Sequence, residues 1–219
     1  ILPPAGAGTD AMANYASLRG PVGLNRVYVE QNGTFTSDHM IEQVKRGKSF
    51  VTNGALLGLT VNGSNPGDTI EINGQKTNLQ FRAFLRSAVP VDHLEVVWNG
   101  RVIHEYAFKE DRNTADFTGQ IEVDGPGWMV LRAFNDEANP DIPDYYPYAT
   151  TSPIYITSSG KKLMSRSSAV FFLEWIGRIE KIVSSFDAFR TMEEKELILK
   201  DLNKARKFYE NCFTNATIE

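Results

Sequence analysis

The chain reads as mainly β with a helical tail: an Ig-like antiparallel β-sandwich, preceded by a short Gly/Pro-rich segment and followed by an α-helical hairpin. Three observations predict this. Residues 78–86 alternate, placing Leu79, Phe81, Ala83 and Leu85 on one face of a strand. Turn signals recur between β-rich runs, with Asn99-Gly100 and Asp124-Gly-Pro-Gly127 the clearest. From about residue 165 the apolar period changes from two to that of a helix.

Taken in order, residues 1–48 hold one short strand, Asn25 to Glu30, and one short helix. The helix is expected to start at Ser37 as N-cap, turn Met40, Ile41 and Val44 inward, and stop at Gly47. Residues 49–158 form the sandwich. Its runs are 78–86, then His93 to Trp98 and Arg101 to Phe108 about the Asn-Gly turn. Ile121 to Val123, Trp128 to Phe134 and 153–157 complete it, with Trp98 and Trp128 expected in the core. Seven or eight short strands with no helical pattern between them argue for a sandwich rather than a parallel α/β sheet. Residues 159–219 form the hairpin. Phe172, Trp175, Ile176, Ile179, Ile182, Val183 and Phe186 make the stripe of its first helix. The second helix opens on a Thr191-Met-Glu-Glu194 capping box and turns Ile198, Leu202, Ala205, Tyr209 and Phe213 inward. Such stripes suit packing on each other, on the sandwich, or on a partner that makes an oligomer through the hairpin.

Composition excludes several classes of function. The formal net charge is −4, and no Lys/Arg run interleaves with aromatics, so nucleic acid is not an expected partner. No apolar stretch approaches the roughly 20 residues that span a bilayer. The single cysteine, Cys212, rules out an internal disulfide or a cysteine metal cluster. The chain begins Ile-Leu-Pro-Pro, so it is expected to be processed or part of a longer polypeptide.

Candidate chemistry is sparse. Gly6-Ala-Gly-Thr-Asp-Ala11 fits the spacing of a dinucleotide fingerprint, but Pro3-Pro4 leaves no strand before it and the stretch after it is a poor helix. His39, His93 and His104 stand in no metal-binding spacing and are expected to be structural. There is no G-x-S-x-G elbow, and Cys212 has no evident activating base. Asp136 to Pro147 carries four carboxylates and paired tyrosines. Its spacing is not that of a calcium loop, which leaves a solvated or interface loop as its expected role. Tyrosines there would serve a sugar-binding or protein-binding surface. Asp10, on the Gly8-Thr9-Asp10 turn, has a bland role open to it as a turn or capping aspartate.

Several phrases together carry a resemblance: Pro3-Pro4, Ala7-Gly-Thr-Asp10, Gly23-Leu-Asn-Arg-Val-Tyr28, Gly47-Lys-Ser-Phe-Val-Thr-Asn-Gly54 with Leu57 and Val61-Asn-Gly63, then Arg86-Ser with Pro90, Leu94-Glu-Val-Val-Trp-Asn-Gly100 and Thr151-Ser-Pro-Ile-Tyr155. Over residues 1 to about 157 the chain resembles the C-terminal part of a carbaryl-hydrolase-like (CehA/McbA-type) metallohydrolase, a branch related to the PHP metallohydrolases. The resemblance implies that residues 1–48 are the end of a distorted β/α barrel. It also implies that Asp10 is the late ligand of a divalent metal, Zn or Mn, in a full-length parent. Such an ion lowers the pKa of bound water to make a hydroxide nucleophile. Relatives often carry a histidine two residues after this aspartate; here Met12 stands there.

The function expected is therefore that of a C-terminal piece of a metal-dependent hydrolase, whose partner is a missing N-terminal metallohydrolase domain. The sandwich would be an accessory domain. By itself the chain is expected to bind no metal tightly and to catalyse no hydrolysis, since one carboxylate makes no coordination sphere. Two alternatives stand beside it: an extracytoplasmic module that binds glycan or protein, and a catalytically inactive member of the hydrolase group, which Met12 favours. An extracytoplasmic location is the expectation for large multidomain proteins of this type.

Overall fold

The computed structural model describes residues 3–12, 20–31, 33–74, 76–161 and 163–218. It divides into two compact units, Ile1–Ser159 and Gly160–Glu219.

Among the described residues, the first unit holds eleven strands and one helix in the order β1 (Arg26–Val29), α1 (Ser37–Lys45), β2 (Ser49–Thr52), β3 (Leu56–Val61), β4 (Thr69–Ile72), β5 (Thr77–Arg86), β6 (His93–Trp98), β7 (Arg101–Glu105), β8 (Thr114–Val123), β9 (Gly127–Phe134), β10 (Tyr148–Thr151) and β11 (Ile154–Ser158). One sheet has three strands, β3-β5-β8. The other has eight and is built on β9, which pairs with β6 on one side. On its other side β9 pairs with β10 through its C-terminal half and with β11 through its N-terminal half. From β10 the sheet continues to β2 and β1, from β6 to β7, and from β11 to β4 in the sheet's one parallel pairing. This is the Ig-like antiparallel sandwich that the strand pattern predicts.

The core lies between the sheets. β5 contributes Leu79, Phe81, Ala83 and Leu85; facing it, β9 contributes Met129, Leu131 and Ala133. Each of the larger side chains stabilises the fold by roughly 1.5–3 kcal/mol through removal from water. Asn99 and Gly100 both have positive φ, 48° and 81°, the primed turn that matches strand twist between β6 and β7.

Three expectations are corrected. Because Met129, Leu131 and Ala133 take the inward positions of β9, Trp128 falls on the opposite face and is half-buried there. Trp98 does pack against the core. The N-cap of α1 is Thr36, whose Oγ1 accepts from the His39 N–H at 3.1 Å. The inward position of α1 belongs to Gln43, while Met40 and Ile41 are 38% and 52% exposed.

The second unit is a pair of helices, α2 (Arg166–Ser185) and α3 (Met192–Thr214). They run antiparallel: Phe172 near the start of α2 stacks on Tyr209 near the end of α3, with centroids 4.7 Å apart. Lys195 at the start of α3 donates to the Ser184 carbonyl at 3.0 Å. The Glu180–Arg206 ion pair joins the helices between these points. Thr191 caps α3 by accepting from the Glu194 N–H, and Glu194 reaches back to the Arg190 N–H at 3.2 Å. The stripe expected on α2 splits in two. Ala169, Ile176 and Val183 are buried, but Trp175, Ile182 and Phe186 are exposed. No helix among the described residues is long and apolar enough to cross a membrane.

Candidate functional site

Residues 3–12 have no regular structure, and side chains of the sandwich hold this segment. The Ala5 N–H donates to Ser152 Oγ at 3.0 Å, and Ser152, fully buried, also meets Ser49 Oγ at 2.9 Å. Further along, the Asn25 N–H donates to Thr9 Oγ1 at 2.9 Å, which ties the turn to the entry of β1. Asp10 follows with φ of 53°, a left-handed conformation that aspartate tolerates better than most residues because its short carboxylate bonds locally. Asp10 is exposed.

The same region receives the acidic, tyrosine-bearing loop between β9 and β10. Asn53, at the end of β2 and 4% exposed, holds it with both ends of its amide. Its Nδ2 donates to Asp144 Oδ2 at 3.2 Å and to the Tyr146 carbonyl at 2.8 Å, while its Oδ1 accepts from the Tyr148 N–H at 2.7 Å. Burial acts to raise the Asp144 pKa, but the Tyr145 N–H and the side chains of Asn53 and Asn25 outweigh it and hold the carboxyl below its ordinary value. Asn25 thus joins Thr9 on one side to Asp144 on the other. Tyr145, next to that carboxylate, is 85% exposed. The acids of this loop do not converge: Asp144 turns to Asn53, whereas Asp136 turns to His93.

Sequence reasoning singled out Asp10 and the loop, but not the amides that join them. A signal existed in Asn53, a lone amide followed by glycine at the end of the buried run Ser49 to Thr52.

No histidine shares a metal-capable cluster of three with Asp10 among the described residues. His39 places Nε2 3.2 Å from the Glu30 carbonyl, and His104 stacks on Phe117 at 5.0 Å. His93 belongs to the one cluster of three metal-capable side chains found among the described residues, with Glu95 and Glu105. Its Nδ1 lies 3.0 Å from Glu105 and its Nε2 3.0 Å from Asp136, while Glu95 binds Arg132 at 2.6 Å. Both imidazole nitrogens already have carboxylate partners and the buried Glu95 already has a guanidinium, so these side chains satisfy one another as a network of ion pairs.

That network makes stability depend on pH. Asp136 first, then Glu105, raises the His93 pKa against the opposing effect of burial. A raised pKa means that the folded state binds the proton more tightly, so this contribution is full below the ordinary value of 6.5 and fades as pH rises through the folded pKa. The melting-temperature gap between wild type and His93→Gln should therefore narrow between about pH 6 and about pH 8. A gap that stays constant, or widens with pH, would show that the charged form is not the stabilising one.

A groove of about 590 Å³ lies elsewhere in the first unit, lined in part by Tyr28, Glu30, Phe50, Leu57, Arg82 and Phe84. Tyr28 and Phe50 stack on each other with ring centroids 5.0 Å apart. Gly58 lets the Phe84 ring lie against the sheet, since an added Cβ would meet that ring at 1.9 Å. The volume is within the usual range for small-molecule sites.

Comparison with models of known families and with curated proteins finds no match to this chain.

Proposed function

We propose that the chain is the C-terminal part of a PHP-related, metal-dependent hydrolase, with the sandwich as an accessory domain beside the catalytic one. The observation that carries this reading is the exposed aspartate, held in a left-handed turn that Thr9 fastens to Asn25. The described residues do not complete a metal site around it, because the one metal-capable cluster of three excludes Asp10. The chain would supply a single carboxylate to an ion held mainly by the preceding domain. Exposed apolar side chains of residues 20–48 add support. Val22, Phe35, Met40 and Ile41 are 78%, 61%, 38% and 52% exposed, surface that another domain would cover.

The test uses the natural polypeptide that carries this sequence. Asp10→Ala should weaken retention of bound Zn or Mn by about tenfold or more, the least expected when a ligand rather than its outer support is removed. Hydrolytic turnover should fall with it. Metal content and turnover that survive the substitution would sink the assignment of Asp10. A full-length protein that holds no metal at all would be the inactive member of the group that Met12 suggests.

The groove favours a second reading, a module that binds glycan. An aromatic ring of its wall can stack on the C–H face of a sugar, and Glu30 and Arg82 line the same groove to bond hydroxyls. Oligosaccharide titration that perturbs the Tyr28 and Phe50 resonances would support it; unchanged spectra at millimolar sugar would remove it.

A further inference from the structure

We infer that the exposed face of α2 is an interface between two copies of this chain, paired antiparallel about a two-fold axis. Phe171, Trp175 and Ile182 are 59%, 52% and 64% exposed, whereas Ala169, Ile176 and Val183 are buried. The exposed residues recur at helical spacing with Arg178 between them, in steps of four, three and four residues. That stripe maps onto itself when a second helix is laid against it in the opposite direction. Phe171 then meets Ile182 of the second copy, and Trp175 meets Arg178 of the second copy, a cation over an indole face.

Charge selects a second copy over other occupants. Glu174 and Arg178 are both exposed, and neither forms an ion pair among the described residues. In the antiparallel register each Glu174 falls within one residue of Arg178 of the other copy, which gives two symmetric ion pairs flanking the tryptophans. The two residues, with Phe171 and Trp175, line a depression of about 210 Å³ where an aliphatic side chain of the second copy can seat. On α3 the exposed Leu197 and Phe208 are separated by Asp201 and Lys204, which bind each other at 2.8 Å and offer no free charge to a partner. A lipid surface is the poorer occupant: the stripe carries its arginine at the centre rather than along a polar border, and the chain has a net charge of −4.

The experiment is sedimentation equilibrium on the whole chain up to about 100 µM, with circular dichroism to confirm that each variant keeps its helices. Wild type should sediment as a dimer. Arg178→Glu, which sets Glu174 against a like charge, should raise the dissociation constant about tenfold or more. The exchange Glu174→Arg with Arg178→Glu should recover part of the lost affinity, because the swapped charges pair again across the two-fold axis while the contact of Arg178 with Trp175 stays lost. Ile182→Glu should abolish the dimer. A wild type that is monomeric at the highest concentration, or a double exchange no better than Arg178→Glu alone, overturns the proposal. So does a monomer that binds vesicles of phosphatidylserine and phosphatidylcholine through Trp175.

Discussion

Gly67→Ala is expected to destabilise the sandwich by about 4 kcal/mol, combining the cost of a side chain at positive φ with that of an unrelieved clash. Gly67 has φ of 84°, and a Cβ there would lie 2.1 Å from the Arg46 carbonyl oxygen and 2.7 Å from the Gly47 carbonyl carbon. These are backbone atoms in the link between α1 and β2, so no rotamer change relieves the contact. The Gly67 N–H also donates to the Pro153 carbonyl at 2.8 Å, which holds it at the crossing of three segments. Gly63 is the control: its φ is 82°, yet nothing lies within 4 Å of its added Cβ. Gly63→Ala should thus cost only the conformational part, about 1–2 kcal/mol. Because the hairpin is a separate unit, the loss is best read from hydrogen exchange of β5 and β9 amides. Equal losses in the two variants would show that the close approach contributes nothing. A loss near 4 kcal/mol is a large share of the 5–15 kcal/mol that typical domains possess.

Asn53→Ala should cost about 2–4 kcal/mol, since it leaves partly buried backbone groups without partners as well as removing three hydrogen bonds. The Tyr146 carbonyl and the Tyr148 N–H lose their contacts, and Asp144 loses one of the donors that hold its carboxyl ionised. The loop between β9 and β10 should then open more often, and limited proteolysis near Tyr145 should speed up relative to wild type. Asp144→Asn provides the comparison, because it keeps an oxygen for Asn53 and should cost clearly less. Equal protease resistance in wild type and Asn53→Ala would mean that the amide does not hold the loop.

Much of the sandwich was legible wherever pairing is local or alternation strict. β5 alternates over its whole length, and the β6–β7 hairpin announces itself in Asn99-Gly100. β2, β3, β4 and β10 escaped notice because none of them carries a turn signal or an alternation long enough to stand out, and their pairing is with segments remote in sequence. β8 was recognised only at its end. Its inward positions include Ala115 and Gly119, which blunt the apolar alternation, and its full pairing with β5 defines the rest. The site divides in the same way. Asp10 stood out by its turn chemistry, whereas the Asn53–Asp144 bond closes a separation of 91 residues that no local pattern encodes.

By itself, the sequence determined that two kinds of periodicity coexist, β before about residue 158 and helical after it, because side-chain alternation and helical stripes are properties of the local chain. Only the tertiary structure decided which member of each pattern faces inward. Trp128 lies outside because its neighbours on β9 meet the opposing sheet; Trp175 and Ile182 lie outside because α3 covers a different strip of α2. Periodicity defines a face, but burial depends on what arrives to cover it. The same holds for Gly8-Thr9-Asp10: its left-handed turn suits local aspartate chemistry, while the Asp144 carboxylate that Asn25 also holds comes from a loop far along the chain.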